Sequence, residues 1–404
     1  MPGDSLLILT LACPGLLDFS GRWQTTDMLV TPETHNSTTE YPSSAVKTPA
    51  ELKFDKQDDF QRVLKERVEQ YFSTSGKHPR DCWQMYVKCF VILSWFFGSY
   101  ALLVFGPITW MMAIPLAASV GLAMAAIGFS IQHDGGHRAF SDFPIVNRMA
   151  ALTLDMLGGS SYYWARKHNS IHHTYANITG HDDDIDLGLL GRLSPHQKHL
   201  KFHRLQHFYL WFLYGFLTIK WQFYDDFRDM VRGRIGAHRV ARPTGTDLAL
   251  LLGGKLFFVV MAFVVPLMLH PWWMVLPTYL CVSFFQGVTL STIFQIAHCV
   301  EDATFPMPEP ATGRMNATFA SHQIETTVDF APNNRLLSWF VGGLNYQIEH
   351  HLFPQICHIH YRALAPVVQQ TCREFGVRYT VHDTLSSGIA SHYRWLRRMG
   401  AADA

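Results

Sequence analysis

The sequence predicts an all-α integral membrane protein, with four transmembrane helices in two hairpins and a cytoplasmic helical cap carrying clustered histidines. Three features predict it. Two long stretches lack any formal charge, histidine pairs at helical spacing sit just beyond them, and basic residues gather on one side of the expected spans. Composition agrees: charged residues make up 16% of the chain, against about a quarter in soluble domains. A mean hydropathy of +0.05 is too low for spans alone, so embedded and water-exposed parts must coexist. The balance of 33 basic against 32 acidic residues gives no support for a nucleic-acid binder.

Taken in order, residues 1–53 read as a flexible N-terminal tail. Asp4 precedes the apolar run Leu6–Ala12 and no Lys or Arg does, which argues against a secretory signal. Met28 is a second candidate start beside Met1. Phe54–Phe72 alternates apolar and charged residues at helical spacing and is expected to be an amphipathic helix. It opens a main domain over 54–380, followed by a C-terminal tail over 381–404. From Cys89 to Gln132, and again from Leu256 to Val300, no Asp, Glu, Lys or Arg occurs. Each stretch has room for two spans of ~20 residues. Pro107 divides the first and His270-Pro271 the second, which gives spans at about 89–105, 109–129, 256–269 and 272–297.

Hairpins return the chain to its side of origin, so the N-terminal tail, the section from His133 to Lys255 and everything after Glu301 share one side. The basic residues between Arg192 and Arg242, set against uncharged hairpin tips, place that side, the active site and both termini in the cytoplasm. Phe208–Ile219 is apolar but too short to span, and is expected to lie in the interface.

The 7 cysteines are scattered without a CxxC pair, which argues against a disulfide framework, a cysteine zinc site or an iron–sulfur cluster. The 22 histidines are not scattered. His133-Asp-Gly-Gly-His137 follows the first hairpin. His168-Asn-Ser-Ile-His172-His173 and Gln347-Ile-Glu-His350-His351 follow later, and His298 stands where the second hairpin ends. Four-residue steps put paired imidazoles on one helix face. Any one of these histidines is as readily a satisfied polar side chain, but three groups plus His298 at one membrane boundary point to a shared centre. Imidazole suits transition metals. Eight histidines exceed the roughly four of a tetrahedral zinc site and imply two metal ions. Gly135-Gly136 permits close backbone approach.

HDGGH, HNSIHH and QIEHH, arranged around two hairpins, resemble the three histidine boxes of the integral-membrane fatty acid desaturases. The stretch GGLNYQIEHHLFP over 342–354 resembles their front-end branch, where Gln replaces the first His of the third box. The resemblance extends from about Phe54 to Tyr379. It implies two iron ions held by His133, His137, His168, His172, His173, His350 and His351, with His298 as a further ligand and Gln347 as a weak or water-mediated one. No catalytic side chain beyond the ligands is expected. It implies dioxygen as co-substrate and a cis double bond introduced toward the carboxyl end of a fatty acyl chain, carried on coenzyme A or on a lipid, as in linoleoyl-CoA type enzymes.

Asp134, Asp182, Asp183, Asp184, Asp186 and Glu349 are candidates to hold the second ring nitrogen of ligating histidines. Tyr163, Trp164 and Trp339 are candidates to line an apolar acyl tunnel. His181 and His322 lie near the boxes, while His196, His199, His203 and His207 are expected at the surface or interface. The chain has no HPGG haem motif and no Gly-rich nucleotide turn, so electrons are expected from a separate donor, ferredoxin or cytochrome b5, with its reductase. The Arg192–Arg242 stretch suits either such an acidic donor or anionic membrane lipid. The rival readings are a membrane hydroxylase built on the same boxes, a sphingolipid desaturase and a metal transporter. The last is disfavoured because no acidic or basic residue falls within the expected spans.

Overall fold

A computed structural model describes residues 52–55 and 58–401. Of the tail expected over 1–53, residues 1–51, with both candidate start methionines, lie outside the described residues, while Lys53 opens a short strand. The first helix, α1 (Asp59–Ser75), is capped by Asp58, whose carboxylate accepts from the Gln61 N–H, and ends at Gly76 in the left-handed region. It buries Phe60, Leu64 and Val68, the stripe that its period of four supplies.

Among the described residues, four helices are long and apolar enough to cross a membrane: α2 (Trp83–Phe105), α3 (Trp110–Gly136) and, later in the chain, Gly245–Leu269 and Trp272–His298. All four begin or end beyond the expected spans, and the reason is instructive. Lys88 lies inside α2 because its ammonium is buried 2.8 Å from His358 Nε2. Lys255 lies inside the Gly245–Leu269 helix because it donates to the carbonyls of Gly158, Trp221 and Gln222 and to the Asp226 carboxylate, at 2.6 to 3.1 Å. A charge paired within the protein does not mark the end of a span.

Between the two pairs of long helices lie α4 (Pro144–Ala151), α5 (161–175), α6 (Gln206–Leu213) and α7 (217–232). Continuing in order, the third and fourth long helices are α8 and α9. After them come α10 (Phe319–Glu325), α11 (Gln347–Leu352), α12 (Tyr361–Phe375) and α13 (Leu385–Met399). The chain is therefore mostly helical, but not wholly so. Lys53–Asp55 pairs in parallel with Arg314–Thr318, Asp329–Phe330 in parallel with Val381–His382, and Arg234–Ile235 forms a small hairpin with His238–Arg239.

The long helices pack through small and polar residues. The Trp95 indole N–H donates to the Ser119 hydroxyl at 2.9 Å, joining α2 to α3. A Cβ on Gly121 would fall 2.5 Å from the Val282 carbonyl oxygen, so α3 and α9 meet where only glycine fits. The Tyr100 hydroxyl donates to the Met261 carbonyl at 2.7 Å. That carbonyl lies in a π-helical stretch, Val260–Val264, where the i+5 residue is Pro266 and has no N–H to give.

The segment expected as a C-terminal tail is instead ordered through α13. This helix buries Trp395, Leu396 and Met399, the Trp395 indole donates to the Leu193 carbonyl at 2.8 Å, and His392 bridges the Tyr214 hydroxyl and the Cys299 carbonyl. Its apolar positions at three- and four-residue steps were hidden among serines and arginines. Because Lys255 and Asp226 are buried together, Lys255→Ala is expected to lower stability by about 3–5 kcal/mol through the stranded carboxylate. Lys255→Met with Asp226→Leu should restore much of that loss, as read by thermal unfolding in detergent.

Candidate metal centre

The same long helices deliver the first histidines. α3 passes through a π-helical turn, Ile127–Gln132, and then presents His133 and, at its end, His137. A second π-helical stretch, Ala165–His172, sets His168 and His172 one above the other, their rings stacked at 5.2 Å; such insertions recur at functional sites. His298 is the last residue of α9, and α11 supplies His350 and His351. All eight side chains are buried.

They meet. His133, His137, His168 and His350 form one group whose ring nitrogens all lie within 4.8 Å of one another, and His172, His298 and His351 form a second. His173 joins His350 and His351 at the same spacing and so stands between the two. The Nε2 atoms of His133 and His168 are 3.2 Å apart, and those of His173 and His168 are 3.3 Å apart. His137 Nε2, His350 Nε2, His351 Nε2, His173 Nδ1 and His298 Nδ1 are buried without a hydrogen-bond partner among the described residues. Nitrogen donors in two adjoining groups, several left unpaired at a large desolvation cost, suit a pair of imidazole-seeking metal ions. Gln347 belongs to this wall, its amide nitrogen 3.0 Å from His298 Nε2.

Four of the outward nitrogens face partners, though not always the expected groups. His172 Nδ1 faces Asp182 at 3.1 Å and Asp184 at 3.6 Å, and Asp184 also reaches to 3.9 Å from His168 Nδ1. His351 Nδ1 donates to Gln323 Oε1 at 2.7 Å, and His350 Nδ1 lies 3.3 Å from the Tyr361 hydroxyl. Neither Gln323 nor Tyr361 carries any signal in the sequence that would single it out. Asp134 turns away to His358 Nδ1 at 2.8 Å, Asp183 pairs with Lys167 at 3.0 Å, and Asp186 caps Gly188. Glu349 accepts from the Tyr379 hydroxyl at 2.9 Å, and the same hydroxyl reaches Asp329 at 2.6 Å. Burial, helped by Asp329, holds the Glu349 carboxyl well above the usual range.

Burial also lowers the pKa of His137, His168, His173, His350 and His351, which keeps these imidazoles neutral with a lone pair to offer. His172 departs from this: burial opposes its charge, but Asp182 and Asp184 outweigh burial and raise it.

Asn177 is a further residue that the sequence did not mark. With φ at 59°, it donates its backbone N–H to Asp182 at 2.9 Å, while its side-chain amide meets the carbonyls of His298, Thr304 and Thr326 at 3.0 to 3.1 Å. Gly136 is required for close approach, since a Cβ there would fall 2.2 Å from the Trp164 ring. His181 rests against Tyr175 and His238, and His322 against Phe54; neither belongs to the nitrogen groups. His203 and His207, expected at the surface or interface, are buried within the protein. His203 Nε2 donates to the Leu189 carbonyl at 2.9 Å, and His196 and His199 give theirs to those of Phe305 and Gly400.

Of the three tunnel candidates, Trp164 stacks on His168 at 4.6 Å and lines a narrow passage that also touches His133. Tyr163 is buried in a cluster with Ile171, Ile235 and Leu251, and Trp339 lies under the Lys88 ammonium; neither lines the passage. A wider apolar crevice between α2, α3, α8 and α9 shares Met124, Leu157 and Gln222 with it.

Four long apolar helices around a histidine-walled chamber define a membrane enzyme with groups able to bind metal. The chain belongs to the fatty acid desaturase family: the family described as Fatty acid desaturase matches residues 108–382. The sn-1 linoleoyl-lipid 6-desaturase of Synechocystis sp. is 39% identical over 88% of this chain and 99% of its own length. That of Arthrospira platensis is also 39% identical, over 87% and 95%. An acyl-lipid (8-3)-desaturase of Physcomitrium patens is 35% identical over 86% of this chain and 72% of its own. The protein is accordingly an oxidoreductase, a fatty acid desaturase of the type that resembles front-end enzymes. Gln323→Leu, which strips His351 of its acceptor, is expected to weaken metal affinity ~10–100-fold while Gln323→Glu largely keeps it, as read by metal content after dialysis against a graded chelator.

Proposed function

We propose that this enzyme is a di-iron, dioxygen-dependent desaturase that introduces a cis double bond toward the carboxyl end of a lipid-borne fatty acyl chain. One observation carries the reading: eight buried imidazoles from four separate parts of the chain converge in two adjoining groups. Their proposed roles are ligation by His133, His137, His168, His172, His173, His298, His350 and His351, with Gln347 at the edge of the set. Bound there, two irons would supply the reduction of dioxygen and the removal of hydrogen from an unactivated methylene, chemistry beyond amino-acid acids and bases.

The chain's own part is to bind, orient and exclude water. Asp182 accepts from His172 Nδ1–H, and Gln323 from His351 Nδ1–H, fixing which nitrogen faces inward. Trp164 closes one wall, and the apolar passage behind it gives the methylene chain a place against His133. The names of the curated relatives support a lipid-borne acyl chain over coenzyme A.

The proposed topology is two hairpins, α2 with α3 and α8 with α9, with the metal chamber and both termini on the cytoplasmic side. The exposed Phe208, Phe212 and Phe216 of the α6 region support its place in the interface. A separate donor, ferredoxin or cytochrome b5 with its reductase, is proposed to supply two electrons per turnover.

Expression of the full chain in a host lacking the product should yield a new double bond, located by mass spectrometry of derivatised fatty acids, and His172→Ala or His351→Ala should abolish it. A new hydroxyl instead would overturn the reading in favour of a hydroxylase. The purified enzyme in liposomes should turn over only when a donor protein and its reductase are added; turnover with NADH and dioxygen alone would remove the external donor from the proposal.

A further inference from the structure

The crevice between the long helices opens sideways. Phe97, Phe257 and Met274 line it, yet they remain 46%, 44% and 41% exposed on the outer faces of α2, α8 and α9. Those faces meet hydrocarbon when the helices cross a bilayer. At its inner end the crevice shares Met124, Leu157 and Gln222 with the passage that ends at His133 and Trp164.

Thr218 and Ser283 reach the mostly apolar junction, and beside them lies a linked pair of polar side chains. The Tyr279 hydroxyl donates to Gln222 Oε1 at 2.7 Å, and Gln222 Nε2 donates to the Leu157 carbonyl at 3.1 Å. Gln286, also on the passage wall, is 5% exposed, and its Oε1 has no partner among the described residues. A buried acceptor without a donor costs about 1–3 kcal/mol, so the free Gln286 Oε1 is a place where a donor would be stabilised.

We propose that the crevice is a lateral portal through which the acyl chain of a bilayer lipid reaches His133 without leaving hydrocarbon, and that the Tyr279–Gln222 hydrogen bond is its latch. This deepens the reading above and rests on it. Latched, the Gln222 amide ties α9 to Leu157 and closes the junction. Released, it turns its N–H to Gln286 Oε1, the unpaired acceptor on the neighbouring wall. The backbone beneath the latch stays put, because Lys255 holds the carbonyls of Trp221 and Gln222. The occupant is a hydrocarbon chain and not a head group: the crevice lining contains no Lys or Arg, and its one histidine, His270, donates Nε2–H to the Val104 carbonyl.

The test uses the full chain in two sets of phosphatidylcholine vesicles, in which one acyl chain carries a diazirine near its methyl end, to report on the crevice, or in its carboxyl-end half, to report on the passage. After photolysis, wild type should be labelled at the crevice (Met261, Thr278) and in the passage (Leu290). Ala262→Trp, which fills the mouth, should cut the passage label roughly tenfold, and Tyr279→Phe should raise it severalfold. Thr278→Trp fills the same mouth from α9 and serves where Ala262→Trp fails to fold, with bound metal as the measure of folding. Label confined to outer helix faces, or passage label unmoved by the plug, overturns the portal; Tyr279→Phe labelling like wild type overturns the latch. The readout needs no turnover. Labelling in the expected pattern without any double bond refutes the desaturation reading alone, whereas normal desaturation with an unlabelled passage refutes the portal alone.

Discussion

Bringing eight imidazoles within a few ångströms of one another is the demand that the rest of this structure serves. Each ring must lose its water, keep one nitrogen lone pair turned inward and have the other nitrogen held. Protonated, the same cluster would repel itself apart, and burial is what keeps most of these rings neutral. Asp182, Gln323 and Tyr361 hold outward nitrogens without competing for the centre. The histidines are thereby oriented before any ion arrives.

Geometry of this kind needs departures from ideal helices. The π-helical turns before His133 and across His168–His172 shift the face that each helix presents. Gly136 lets Trp164 lie against the end of α3, and Gly342, at φ +62°, brings the loop before α11 so close to α3 that a Cβ would fall 2.1 Å from the Phe129 carbonyl oxygen. Charges are handled by the same economy. Lys88 and Lys255 sit inside long apolar helices because His358, in turn on Asp134, and Asp226 accept them from neighbouring segments.

Much of this was legible in the residues. The charge-free stretches, divided at Pro107 and at His270-Pro271, located four long helices, and the spacing within HDGGH, HNSIHH and QIEHH located the histidine groups. Helix ends were misplaced where Lys88 and Lys255 looked like boundaries, because a sequence does not show that a charge has a buried partner. Asn177, Gln323 and Tyr361 were missed for a related reason. Their contacts are with backbone carbonyls or ring nitrogens far along the chain, and neither period nor composition reports such pairs. The α13 helix was missed because its apolar stripe of Trp395, Leu396 and Met399 is short and set among polar residues.

Asn177 has a consequence for how the molecule is made. Its amide is satisfied by carbonyls of His298, Thr304 and Thr326, all synthesised more than a hundred residues after it. Until those residues have been made, the amide lacks its native partners, so this corner of the histidine cluster cannot close before the chain has passed Thr326.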